Sequence, residues 1–194
     1  MTGSHAELPV AARVRALEER LITAGLITDD ELDSILAEVF ASASPANGAR
    51  MVARAWTDPE YARRLLADGN AAAAELGFAA ETKAYLLKVV ENTPAVHNVI
   101  VCTLCSCYPT ALLGPSPSWY KSFAYRSRVV REPRVVLAEF GLELPEDTEI
   151  RVWDANSETR YLVLPLPPES AGITDEGTLT SLVTRNGLIG TAVR

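Results

Sequence analysis

All three cysteines of the 194-residue chain fall in one short stretch, Cys102-Thr103-Leu104-Cys105-Ser106-Cys107. Thiolates are soft donors that select zinc, cobalt, iron or copper(I) over magnesium or calcium. The Cys105-Ser106-Cys107 tripeptide has a further property. Two thiolates one residue apart leave the intervening amides facing the same ion. If the amide nitrogens of Ser106 and Cys107 lose their protons, they close a nearly planar N₂S₂ square with the sulfurs of Cys105 and Cys107. Cys102 then reaches an axial position, and the sixth position stays open for a substrate. Such strong anionic donors favour a low-spin trivalent ion, cobalt(III) or iron(III), which acts as a Lewis acid at the open position.

Other chemistries compete for the same residues. A structural zinc site needs four protein ligands. It would have to recruit His97, one of two histidines in the chain, and such closely spaced ligands strain a tetrahedron. A non-catalytic zinc or copper(I) module therefore stays open. An iron–sulfur cluster lacks a fourth cysteine, and a redox pair of Cys102 with Cys105 leaves Cys107 without a role. Three clustered cysteines do not make a disulfide framework, and no secretory signal is visible, which places the chain in the cytoplasm.

The rest of the chain must position this loop. Apolar residues make up 48% and charged residues 22%, the composition of a globular protein with a core. The net charge of −7 argues against a nucleic-acid surface, and no apolar run is long enough for a membrane span. After a loose leader over residues 1–9, helical periodicity predicts a helix from Val10 to Ala24. Thr28 and Glu31 have capping-box spacing and open a second helix. Ala43–Gly48 reads as a breaker cluster, followed by a helix over Ala49–Trp56. Asp58-Pro59-Glu60 caps another helix, which Gly69 stops. A short alanine-rich segment then runs to Leu76. Strands are expected at Tyr85–Val90 and Val99–Val101, the second leading straight into the cysteines. Beyond the loop, a helix from Ser118 to Arg131 restarts at Pro133 and closes at Gly141. Strands at Glu149–Trp153 and Arg160–Leu164 flank a hairpin loop at Asp154–Ser157. A helix over Asp175–Arg185 and a short tail follow. The expected class is α+β: an N-terminal helical arm over residues 1–45, then a layered metal-binding core over 46–194.

These residues resemble a known family. Val101–Cys107 looks like the metal motif of the nitrile hydratase α subunit, and Thr103 resembles the cobalt type. Val90–Pro94, Trp119–Ser122, Tyr125–Arg134, Glu158–Tyr161 and Leu188–Gly190 read like that family too, so the likeness covers residues 13–193. The γ subunit of thiocyanate hydrolase shares the motif and stands as the competitor. The resemblance implies a four-layer α-β-β-α fold and hydration of a nitrile to its amide. It implies cobalt(III), with iron(III) less favoured, held by the sulfurs of Cys102, Cys105 and Cys107 and the backbone nitrogens of Ser106 and Cys107. Cys105 would be a sulfinate and Cys107 a sulfenate whose oxygen, or a water it activates, attacks the nitrile carbon. A β subunit, as one chain or split in two, would supply arginines to those sulfur oxygens. The helical arm would clasp it.

Two departures bear on the substrate. Thr110-Ala111 stands where the family has Trp-Pro, which implies a roomier pocket and a bulky aromatic or heterocyclic nitrile, as in hydratases of the toyocamycin kind. Lys83 replaces a glutamine that faces the cavity in the family, and Tyr85 replaces a glutamate. Lys83, Thr110 and Trp119 are the candidate substrate contacts, although Trp119 and Tyr120 also suit a core or interface. Among Arg126, Arg128, Arg131 and Arg134, one or two are expected to brace the loop and the others to be solvated or paired.

Overall fold

The computed structural model describes residues 9–78, 82–168 and 175–194; the predicted leader lies outside them except for Pro9. The chain divides into two compact units, residues 1–41 and 42–194.

The first unit carries α1 (Val10–Thr23) and most of α2 (Asp29–Ser42). The capping box between them forms as its spacing predicts. The Glu31 carboxylate accepts from the Thr28 amide at 2.9 Å, and the Glu31 amide donates to Thr28 Oγ1 at 3.2 Å. Helix α1 buries no residue, and Val14, Leu17, Ile35 and Leu36 stand exposed.

The second unit begins with α3 (Pro45–Thr57), α4 (Pro59–Ala67) and α5 (Gly69–Glu75). Helix α3 starts earlier than the breaker cluster suggested. Ser44 caps the Ala46 amide, and Pro45 suits a first turn whose amide needs no partner. Gly69 does not end a helix but begins α5, with Asp68 as its cap.

The strands are β1 (Leu86–Glu91), β2 (Val96–Val101), β3 (Glu149–Asp154) and β4 (Thr159–Leu164). The predicted hairpin between the last two does not exist. β1 pairs with β4 and β2 with β3, both parallel, in two separate two-stranded sheets. The turn chemistry at Asn156 is real, because its Oδ1 accepts from the amides of Glu158 and Thr159 at 2.9 Å each. It carries the chain from one sheet to the other instead of folding it back. Val99, Ile100 and Val101 of one sheet share a core with Leu87, Leu162 and Val163 of the other. Ala49, Met51 and Val52 of α3 join the same core.

Between β2 and β3 the chain forms a short helix, α6 (Thr110–Leu113), a 3₁₀ turn (Ser118–Lys121), α7 (Phe123–Arg128) and α8 (Pro133–Glu139). The single helix expected over Ser118–Arg131 is broken at Ser122, whose extended backbone and hydroxyl cap α7 instead. The chain finishes with α9 (Glu176–Leu182) and α10 (Arg185–Ile189), where one helix and a tail were expected. Thr184 divides them by capping Gly187. Among the described residues no helix is long and apolar enough to cross a membrane.

A directional hydrogen-bond chain ties β2 to its surroundings. The Trp153 indole, which can only donate, meets Asn98 Oδ1 at 2.8 Å. The Asn98 amide group must then donate to Asn92 Oδ1, at 3.0 Å, and Asn92 Nδ2 must face His97 Nδ1, at 3.3 Å. His97 is thereby fixed neutral, its Nε2–H donating to the Gly190 carbonyl at 2.8 Å. Gly190 permits this approach: its φ is +91°, and a Cβ there would lie 2.0 Å from the Asn98 carbonyl oxygen. Burial holds the His97 pKa below its ordinary value near 6.5. The unfolded chain therefore binds a proton that the folded chain refuses. Stability is full above about pH 6.5 and is lost as pH falls towards the depressed folded value. Thermal unfolding from about pH 7.5 to 5 should show this fall. His97→Gln should be less stable at neutral pH and should lose part of the slope.

Candidate metal centre

Strand β2 delivers the site. Its last residues, Val99 to Val101, are fully buried, and Cys102 follows them with no exposed surface. The chain then leaves the core, so that Cys105 is exposed and Cys107 half-buried. The loop is clamped from three sides. The Asp154 carboxylate accepts from the Thr103 amide at 2.9 Å and from its hydroxyl at 2.6 Å. Parallel register makes this possible, because Asp154 pairs with Val101 at the end of β3. Arg126 of α7 donates through Nη1 to the Cys105 carbonyl at 3.0 Å and, more weakly, to that of Thr103 at 3.4 Å. The Tyr120 hydroxyl donates to the Cys107 carbonyl at 3.0 Å.

The clamps gather the sulfurs. Cys102 Sγ lies 3.3 Å from Cys105 Sγ, which lies 3.1 Å from Cys107 Sγ. All three fall within 4.8 Å of one another and form a metal-capable group among the described residues. Two sulfurs bonded at about 2.3 Å to one ion lie about 3.3 Å apart at a right angle and about 3.8 Å apart at a tetrahedral one. The observed spacing fits the right angle, so the donor set suits a square or octahedral ion better than tetrahedral zinc. His97 does not join: both its ring nitrogens are engaged elsewhere.

The thiols are not equivalent. Hydrogen bonds from Cys107 and then Cys102, with the amides of Ser106 and Cys107, bring the Cys105 pKa down to about 7. Burial, and the bond to Cys105, push Cys107 up to about 12, against the nearby charge of Arg160. That guanidinium rests over the Tyr85 ring at 5.3 Å.

Among the described residues, no hydrogen bond joins the remaining candidates to the sulfurs. Lys83 is exposed in the turn before β1, and no hydrogen bond or ion pair among the described residues holds it. Thr110 is exposed at the first position of α6. Trp119 packs edge-on against Tyr125 at 4.9 Å and Phe140 at 4.6 Å and lines a small cavity with them. Of the four arginines, only Arg126 turns to the loop. Arg128 pairs with Glu132 and Glu139, Arg131 bonds to the Ser127 carbonyl, and Arg134 holds carbonyls of residues 144–148. Asp154 and Arg160 were not singled out from sequence. The hairpin expectation hid Asp154, because only parallel pairing with β2 puts the end of β3 beside the cysteines.

The fold and site thus define an α+β protein that presents three thiols to one metal ion. Residues 8–192 match the model of the family described as nitrile hydratase, alpha chain. The low-molecular weight cobalt-containing nitrile hydratase subunit alpha of Rhodococcus rhodochrous is 48% identical over 95% of this chain and 88% of its own. A double mutant of the Fe-type nitrile hydratase of Comamonas testosteroni Ni1 superposes with a TM-score of 0.87 at 44% identity, over 94% of this chain and 88% of that one. The thiocyanate hydrolase subunit gamma of Thiobacillus thioparus is 42% identical over 96% of this chain and 78% of its own. The chain belongs to the nitrile hydratase alpha-chain family, and the enzyme activity indicated for it is that of a nitrile hydratase.

Thiolate is the reactive form of cysteine. In the metal-free chain, iodoacetamide should therefore label Cys105 first, at a rate that climbs as pH rises through about 7. Cys107 should lag, and buried Cys102 should react only on unfolding. Peptide mapping after brief exposure checks the order.

Proposed function

We propose that this chain is the metal-carrying subunit of an enzyme that hydrates a bulky aromatic or heterocyclic nitrile to its amide, with cobalt(III) as the resident ion. The observation that carries the reading is the three-sulfur cluster, with neighbouring sulfurs 3.3 and 3.1 Å apart, in a chain of this family. Cys102, Cys105 and Cys107 would hold the ion through sulfur, and Ser106 and Cys107 through backbone nitrogen. When bound, it supplies the Lewis acidity that makes a nitrile carbon electrophilic. The name of the cobalt-containing Rhodococcus relative supports cobalt over iron.

The chain's own residues do the rest. Cys102 is buried and anchored at the end of β2, where it would serve as a plain sulfur donor. Cys105 would be a sulfinate and Cys107 a sulfenate. The Cys107 sulfenate oxygen, or a water that it activates, would attack the nitrile carbon and displace a carbon–nitrogen π pair onto nitrogen. One water is consumed overall, its oxygen ending on the carbon and its two protons on the amide nitrogen. Tyr120 fixes the orientation of Cys107 through its carbonyl. Burial pushes the Tyr120 pKa well above its ordinary value, so the hydroxyl remains a donor.

A β subunit completes the site by supplying arginines to the sulfur oxygens. The exposed apolar side chains of the first unit support an arm, residues 1–45, that clasps this partner. Leu104, 87% exposed within the loop, supports a partner surface over the metal centre. The short, exposed Thr110 and its neighbour Ala111 support a pocket open to a large substrate.

Co-expression with the partner gene, metal analysis and mass spectrometry test the chemistry. Cobalt with about 48 Da of added oxygen on Cys105 and Cys107 is expected. Zinc with unmodified thiols would point to a storage or structural module, and turnover of thiocyanate in place of nitriles to the other branch of the family.

For the substrate, kcat/KM should favour a bicyclic heteroaromatic nitrile over a small aliphatic one. Thr110→Trp should lower that preference about tenfold, the scale on which a few methylene groups discriminate in an apolar pocket. A native preference for the small nitrile would sink the assignment of a bulky substrate.

A further inference from the structure

Arg126 carries a charge that no carboxylate of the described residues neutralises. Among the described residues its guanidinium donates only to the carbonyls of Cys105 and Thr103. Its Nε is buried without a hydrogen-bond partner, and no carboxylate of the described residues forms an ion pair with it. Arg128, two residues on, is by contrast engaged by two glutamates. A half-buried cation held against a neutral carbonyl is electrostatically incomplete.

The identity of the carbonyl supplies the missing charge. The Cys105 oxygen belongs to the peptide unit whose nitrogen is that of Ser106. Resonance couples oxygen and nitrogen across a peptide bond. When the Ser106 nitrogen gives its proton to solvent water and its electron pair to a metal ion, negative charge spreads onto the Cys105 oxygen. That atom lies 3.0 Å from Arg126 Nη1. The Tyr120 contact differs in kind. It falls on the Cys107 carbonyl, whose peptide nitrogen belongs to Tyr108 and takes no part in the donor set.

We infer that Arg126 is a positioning residue for the metal centre: its guanidinium stabilises the anionic Cys105–Ser106 peptide and so locks the Ser106 nitrogen onto the ion. The inference rests on the ligand set proposed above. It extends that set by naming the group in this chain that makes a backbone nitrogen a durable ligand. Charge-assisted hydrogen bonds are about twice as strong as neutral ones, so the charge of Arg126 counts for more than its bracing of the loop.

Two measurements on the cobalt-loaded full chain, with its partner co-expressed, separate the possibilities. The first is the half-life of bound cobalt against excess chelator in R126K, R126Q and Y120F. R126Q, which keeps a neutral donor, should shorten it about tenfold or more. R126K, which keeps the charge, should stay within about threefold of the native chain, and Y120F, which loses the neutral brace on the Cys107 carbonyl, should shorten the half-life less than R126Q does. Equal retention by R126Q and the native chain overturns the inference, as does an equal loss in R126Q and Y120F. If R126Q does not fold, R126K and Y120F still decide: cobalt held less well by R126K than by Y120F overturns it.

The second measurement is infrared spectroscopy of the native chain carrying carbon-13 at its cysteine carbonyls. Loading should move one labelled carbonyl, that of Cys105, to lower frequency and leave the others in place. No movement would overturn backbone ligation itself, and the role of Arg126 with it. Movement combined with full retention by R126Q would overturn the role of Arg126 alone.

Discussion

The paired hydrogen bonds from Thr103 to the Asp154 carboxylate turn a strand into a metal loop. Up to Val101 the chain is held by the β2–β3 ladder and the core. One residue past Cys102 that support ends. Without a clamp, the backbone would be free to continue outward, and the sulfurs would separate. Asp154 prevents this by taking both donors of Thr103 at the point where the ladder stops. It stands there because parallel register places it level with Val101. The pairing of two short strands therefore governs the sulfur geometry.

Bracing by carbonyls and amides leaves the side chains of the loop free for chemistry. Arg126 and Tyr120 hold oxygens of Cys105 and Cys107, while Asp154 holds the amide of Thr103. Each brace fixes a peptide plane and so aims the sulfur or nitrogen beside it. The Trp153–Asn98–Asn92–His97–Gly190 chain anchors β2 itself, ahead of the loop. Its donor at one end and carbonyl at the other dictate every amide orientation between. It thereby joins β2 to the cap of α10 without leaving a buried polar group unpaired.

Much of this was legible in the residues. Three thiols in C-x-x-C-x-C spacing announce a metal whatever surrounds them, and local signals such as the Thr28–Glu31 box and the Asp58 cap depend on neighbours in sequence. Strand positions were legible for a similar reason, since buried β-branched runs mark them. Strand partners were not. Asp154–Ser157 has the composition of a hairpin loop, and nothing local tells a turn that returns from one that crosses to a second sheet. That single ambiguity concealed Asp154. Arg126 and Arg128 looked alike for a related reason. A helix rotates successive positions to different faces, and only the tertiary neighbours show that one arginine meets glutamates while the other meets the loop.

The outward path of the loop also explains how identical thiols can take different chemical fates. Oxidation of cysteine follows thiolate character and access. Along the loop, access rises from the fully buried Cys102 to the exposed Cys105 and falls back at the half-buried Cys107. Cys105 is also the thiol whose neighbours bring its pKa down to about 7. The same gradient matches the proposed oxidation levels: none at Cys102, two oxygens at Cys105 and one at Cys107. On the proposed assignment, the sulfur that stays inside the core would remain a plain donor, the sulfur that reaches furthest out would carry the most oxygen, and the one between them would keep a single oxygen. That order would follow from where the strand ends and how far the clamped backbone travels before it turns back.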